Sequence, residues 1–194
     1  MTGIATDARS KVPEVTLAFW ITKILATTLG ETGGDAVSMS MGLGYLVATA
    51  IFLALFALAV GAQIRSRSFS APLYWLTIVA TTSVGTTMAD FADRSLGIGY
   101  AGGASLLLVL LVASLSIWHR TTGSIDVATV TSSRVETFYW TTIMFSQTLG
   151  TALGDWVADS AGLGYLGSAS LFGALLAVLG ACYFWTRMSR TIDR

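Results

Sequence analysis

Five stretches of the chain carry no charged residue: Tyr45 to Ile64, Ala71 to Ala89, Ser95 to Trp118, Thr137 to Gly154 and Ser160 to Thr186. A sixth, from Pro13 to about Asp35, has Lys23 and Glu31 in its interior. Each is close to or above the ~18–20 residues needed to cross a bilayer as a helix. The pattern predicts an all-α, polytopic integral membrane protein with six transmembrane helices. Pro13 and Pro72 are expected in first helical turns, where a missing N–H costs nothing.

The pattern repeats. Trp20, Trp75 and Trp140 open the runs FWITKILATTLGETGGD, YWLTIVATTSVGTTMAD and YWTTIMFSQTLGTALGD, counted from the preceding aromatic residue. Each run leads to Gly-Leu-Gly-Tyr or Gly-Ile-Gly-Tyr, at Gly42 to Tyr45, Gly97 to Tyr100 and Gly162 to Tyr165. Equivalent residues lie 55 and 65 positions apart, about two membrane crossings. Three copies of a two-helix unit are therefore expected. Two crossings per copy bring every copy in from the same side, so the repeats are parallel.

The first helix of each copy carries a polar ladder in steps of four. It reads Lys23, Thr27, Glu31, Asp35 in copy one; Ile78, Thr82, Thr86, Asp90, then Arg94 in copy two; and Ile143, Gln147, Thr151, Asp155, then Asp159 in copy three. Such spacing stacks side chains on nearly one helix face. A second row, Thr28, Ser83 and Thr148, lies beside it. Counted from Glu14, Asp35 falls roughly 32 Å along its helix, near the outer interface, and Lys23 near the middle. A charge at mid-bilayer costs at least ~2.5–3.5 kcal/mol, so Lys23 and Glu31 are expected to face protein or water. The three aspartates have a competing role as caps of the next helix. The hydroxyls have one in bonding backbone carbonyls. Lys23 and Glu31 occur in one copy only, which symmetric capping does not explain.

The Gly-x-Gly-Tyr motif lacks the strand and fingerprint of a phosphate loop. With Ala48, Gly103 and Ser168 four residues beyond Gly44, Gly99 and Gly164, it reads as a small-xxx-small stripe for close helix approach. Its tyrosines fit an interfacial belt, with Trp118 and Trp185 at the opposite interface.

Composition narrows the function. Apolar residues make up 54% and charged residues 11%, against about 25% charged in a soluble domain. Lys plus Arg equal Asp plus Glu at 11 each, which argues against nucleic acid as a partner. One Cys and one His exclude a disulfide framework and multi-ligand zinc, haem or iron–sulfur sites within the chain. His119 reads as solvated, Cys182 as packed, and the Met residues are scattered. No nucleophile–His–acid set assembles. No catalytic residue, enzymatic activity or cofactor is expected, and no metal is specified.

Arg9, Lys11, Arg65, Arg67, Arg120, Arg134, Arg187, Arg190 and Arg194 fall on one side of the six-span arrangement and Arg94 on the other. The positive-inside rule then places both termini in the cytoplasm of a multi-pass protein, read as one of the bacterial inner (plasma) membrane. The expected organisation is a cytoplasmic segment over 1–12, too polar for a signal peptide; repeat 1 over 13–66; repeat 2 over 67–119; a cytoplasmic linker over 120–133; repeat 3 over 134–187; and a cytoplasmic tail over 188–194.

The Trp, the Thr-x-Gly-x-x-x-x-Asp stretch and Gly-x-Gly-Tyr, recurring together from about Lys11 to Arg187, resemble a family of bacterial membrane-anchored proteins. That family is built from a tandem two-helix repeat of unknown function with a characteristic tryptophan. The resemblance implies that Trp20, Trp75 and Trp140 are the family tryptophans. It also implies a membrane class, without a mechanism, and three copies depart from the family's usual four.

Two functions stay open. A small transporter or permease for protons or a hard cation would use Lys23, Thr27, Glu31, Asp35, Thr82, Thr86, Asp90, Gln147, Thr151 and Asp155 as its polar pathway; oxygen ligands favour Mg²⁺ or Mn²⁺ over Cu⁺. A non-transporting scaffold or accessory subunit would use the same hairpins for packing. The lipid bilayer is a partner in both, and the Gly-rich second helices suit a homo-oligomer. An intramembrane enzyme or redox protein ranks last, because its ligands are missing.

Overall fold

The computed structural model describes residues 11–66, 68–125, 130 and 132–192. Among them there is no strand. Six long helices follow in order: α1 (Leu17–Asp35), α2 (Tyr45–Arg65), α3 (Ala71–Asp90), α4 (Gly99–Thr122), α5 (Ser133–Asp155) and α6 (Gly164–Ile192). They follow one another as three tandem pairs, α1 with α2, α3 with α4 and α5 with α6, so the all-α fold and the tandem two-helix repeat both hold. The second helix of each pair is long and apolar enough to cross a membrane: α2, α4 and, in α6, Gly164–Tyr183. Their outward surfaces are rich in exposed Leu, Val and Ile, as lipid-facing helices require. The first helices carry the polar residues.

Each first helix ends in the same way. A single π-helical turn follows it, at Ala36–Ser40, Phe91–Ser95 and Trp156–Ser160. Each turn is closed by an N–H donated five residues back: Met41 to Ala36 (2.8 Å), Leu96 to Phe91 (3.1 Å) and Ala161 to Trp156 (3.2 Å). The chain then reverses through Gly-x-Gly. Both glycines of every copy have positive φ, from 63° at Gly164 to 76° at Gly44, a region that costs other residues roughly 1–2 kcal/mol. The close-approach role expected for the motif falls to its second positions only: nothing lies within 4 Å of a Cβ placed at Gly44, Gly99 or Gly164, whereas Ala48, Gly103 and Ser168 are buried. Asp35, Asp90 and Asp155 are helical residues preceding the π turns and make no capping bond there, while α2 is capped by Gly44.

The helix starts follow local chemistry. Thr16 caps α1, its Oγ1 accepting from Phe19 N at 3.2 Å. Pro13 therefore lies ahead of the helix and not in its first turn. Pro72 does occupy the first turn of α3. Gly123, at φ 79°, ends α4 and donates to His119 O at 2.8 Å, the left-handed helix stop that glycine permits.

The chain divides into two compact units, one through Ala152 and one from Leu153. In the first, α3 is central and packs against α1 and α2. From Ala80 to Thr87 every residue of α3 is buried. At one end the repeated aromatic–Trp dipeptides form a continuous stack. Phe19 meets Trp75 at 5.5 Å and Tyr74 meets Trp140 at 5.4 Å, so an aromatic of one copy packs on the Trp of the next. Such ring pairs add roughly 0.5–1.5 kcal/mol beyond area burial. Tyr74 and Tyr139 also share a hydroxyl hydrogen bond of 2.8 Å. The second unit holds the end of α5, its π turn and α6, tied by Ser168 Oγ donating to Gly154 O at 3.1 Å.

Candidate functional site

On α1, Ala26, Gly30 and Gly34 are the buried row. The ladder runs beside it, with Lys23, Thr27 and Asp35 partly buried and Glu31 exposed. Thr27 Oγ1 donates to the carbonyls of Lys23 (2.9 Å) and Ile24 (3.0 Å).

On α3 the whole ladder is buried: Ile78 at 0%, Thr82 at 6%, Thr86 at 2% and Asp90 at 4% exposure. Thr82 Oγ1 donates to Ile78 O at 3.0 Å. Thr86 Oγ1 has no hydrogen-bond partner among the described residues, and neither does Thr81 Oγ1. A buried hydroxyl left this way costs about 1–3 kcal/mol. Asp90 is paired with Arg94 Nε at 2.8 Å.

On α5, Gln147 and Thr151 are partly buried, and Gln147 Nε2 is buried without a partner among the described residues. Asp155, partly buried, closes α5 in the second unit.

The structure brings α1 and α3 together through small residues. A Cβ on Gly30 would lie 2.7 Å from both Thr82 Cβ and Val79 O. Ser83 Oγ donates across this seam to Gly30 O at 2.8 Å. The next seam repeats it: a Cβ on Gly85 would lie 3.0 Å from Thr148 N and 3.3 Å from Gln147 C. Thr82 and Gln147 thus sit at equivalent seams with the preceding copy. The second polar row, Ser83 and Thr148, is buried at 2% and 0%.

Three features had little or no sequence signal. Glu136, 1% exposed in the first turn of α5, pairs with Lys11 Nζ at 2.6 Å. Lys11 Nζ also donates to Gln63 O (3.2 Å) and Ile64 O (3.4 Å) at the end of α2. Asp93, in the π turn after α3, is buried against α4, where a Cβ on Gly103 would overlap its carboxylate. Ser114 Oγ and Thr142 Oγ1 join α4 to α5 at 2.8 Å. The only available hint was positional: Glu136 borders a charge-free run, as a carboxylate at a helix N-terminus should.

A family model described as Repeat of Unknown Function (DUF347) matches the chain three times, at residues 18–69, 73–124 and 138–189. Each match covers one hairpin, from the Trp-bearing helix to the end of the apolar one. No curated protein and no solved structure matches the chain.

Proposed function

Because the chain belongs to this family, defined by its repeat and not by an activity, we propose from its geometry that it is a small membrane permease. It would pass protons or a hard divalent cation along the polar row of α1. The observation that carries the proposal is the placement of that row. Lys23, Thr27, Glu31 and Asp35 run the length of α1 beside the buried seam, and Glu31 is exposed. Lipid offers no partner to such a face, so water, an ion or protein must line it. Oxygen donors dominate it, which suits a hard cation or a proton. The buried Thr86 hydroxyl and Gln147 amide extend the same chemistry onto α3 and α5. No catalytic step and no cofactor enters the proposal.

Glu31 is the carboxylate in the row that the other copies replace, by Thr86 and Thr151. Glu31→Gln is expected to abolish or decouple flux while insertion and folding persist. Uptake in proteoliposomes across a pH gradient, with Mg²⁺ and Mn²⁺ tested in turn, measures this. Wild-type flux in Glu31→Gln would remove the role of that carboxylate. No flux of any of these ions in the wild type would favour a non-transporting scaffold. One observation favours that second reading: both seams of α3 close to atomic contact through glycines, as in a helix pair built for packing.

The same proposal places all six helices across a bacterial inner membrane, with both termini cytoplasmic. In a Cys182→Ala background, cysteines introduced near positions 67 and 125 should resist a membrane-impermeant thiol reagent in intact cells. Labelling from outside would overturn the orientation.

A further inference from the structure

The seams between first helices follow one rule. Gly30 of copy one enters against Thr82 and Ser83 of copy two, and Gly85 of copy two enters against Gln147 and Thr148 of copy three. Gly30 and Gly85 are repeat equivalents, and so are the pairs that receive them. Every first helix therefore has a glycine face and a receiving face, and copies join glycine face to receiving face.

Two halves of this joint remain uncovered within the same compact unit. On α5 the glycine face is exposed at Ser146 and Gly150, and nothing lies within 4 Å of a Cβ at Gly150. On α1 the receiving face is exposed at Ile24 and Thr28, the positions equivalent to Val79 and Ser83. The two sets are complementary by construction, because the protein already makes this joint twice.

Geometry opposes their meeting within one chain. At about 100° per residue, the α3 residues that receive α1 (Thr82, Ser83, Thr86 and Thr87) average roughly 130° around the helix from Gly85, which meets α5. Helices joined by such faces turn by about 60° of interior angle in a ring of three and about 120° in a ring of six. An angle of roughly 130° is far from the first and lies between a ring of six and the ring of nine, at about 140°, that three chains would make. One chain supplies three first helices, so two chains, with six, make the smallest closed ring this angle allows.

We propose that the Gly150 face of α5 docks on the Thr28 face of α1 in a second copy of this chain, forming two further seams of the internal kind and closing a two-chain ring. In a bilayer this joint relies on close packing of small residues, which lipid tails cannot match. The contact lies at the level of Gly150 and not at the aromatic end, since Tyr139 is already buried against Tyr74. The joint follows from the seams alone and needs no transport activity.

Two differently tagged chains, both Cys182→Ala, test it when one carries Thr28→Cys and the other Gly150→Cys. Mild oxidation in native membranes should join them at a yield about tenfold above either variant paired with itself, given the narrow geometry a disulfide accepts. Equal yields in all pairings would overturn the proposal. So would efficient linkage within one chain carrying both cysteines. Independently, the wild type in lipid nanodiscs should be a dimer, and Gly150→Leu or Thr28→Leu should be monomeric with unchanged helix content. A wild type that stays monomeric, or leucine variants that stay dimeric, would equally overturn it.

Discussion

Lys11→Met is expected to destabilise the protein by about 3–5 kcal/mol, the range for removing one partner of a buried ion pair. The lysine joins two helices. Its ammonium meets Glu136 at 2.6 Å in the first turn of α5 and reaches Gln63 O and Ile64 O at the end of α2. The helix ends are oriented to benefit: a carboxylate favours an N-terminus, and a cation favours the C-terminal carbonyls that lack helical partners. Without Lys11, the Glu136 side chain, 2% exposed, keeps a buried charge with no counter-ion. Glu136→Ala should cost less, because Lys11 is 11% exposed and retains its two carbonyls. Replacing both by apolar residues, Lys11→Met with Glu136→Leu, should recover much of the loss. Reversible unfolding in mixed micelles, followed by tryptophan fluorescence, orders the three variants. A Lys11→Met protein as stable as wild type would show that the pair contributes nothing.

Gly30→Ala is expected to cost about 1–3 kcal/mol by overpacking, although alanine is the better helix former by roughly 1 kcal/mol. The added methyl would sit 2.7 Å from Val79 O, a backbone atom that no rotamer change can move, and 2.7 Å from Thr82 Cβ. The α1–α3 seam must widen, which also stretches the Ser83 to Gly30 hydrogen bond of 2.8 Å. Trimming Thr82 to glycine should restore only part of the stability, because the carbonyl remains. Gly33→Ala is the control on the same helix. It has nothing within 4 Å and should be neutral or slightly stabilising. The same unfolding assay compares them; equal stabilities for Gly30→Ala and Gly33→Ala would mean that the seam is not tightly packed.

Much of the fold was legible because bilayers impose length and composition. Charge-free runs and the Trp to Gly-x-Gly-Tyr spacing yield six helices in three hairpins without any contact being known. The apolar helices α2, α4 and α6 are the clearest case, since most of their residues are apolar and most are exposed. The glycine motif misled in one respect. Its spacing reads as a packing stripe, and Ala48, Gly103 and Ser168 are indeed buried, while Gly44, Gly99 and Gly164 serve positive φ after a π turn, and no side-chain pattern reports that turn.

The ladders show where sequence stops. Steps of four place Lys23, Thr27, Glu31 and Asp35 on one face of α1, and periodicity alone determines that much. Which neighbour a face meets is a property of the assembled helices. The equivalent rows diverge in burial, with Glu31 exposed and Thr86 at 2%, because α3 has copies on both sides and α1 has one. The Lys11–Glu136 pair spans 125 positions, and only the packing of α2 and α5 beside the entering chain creates it. Sequence by itself determined the membrane class, the helices and their threefold repetition, since these follow from local hydropathy and spacing. The tertiary structure decided which polar groups are enclosed, which glycines touch and which faces stay uncovered, since those depend on the order in which identical surfaces meet.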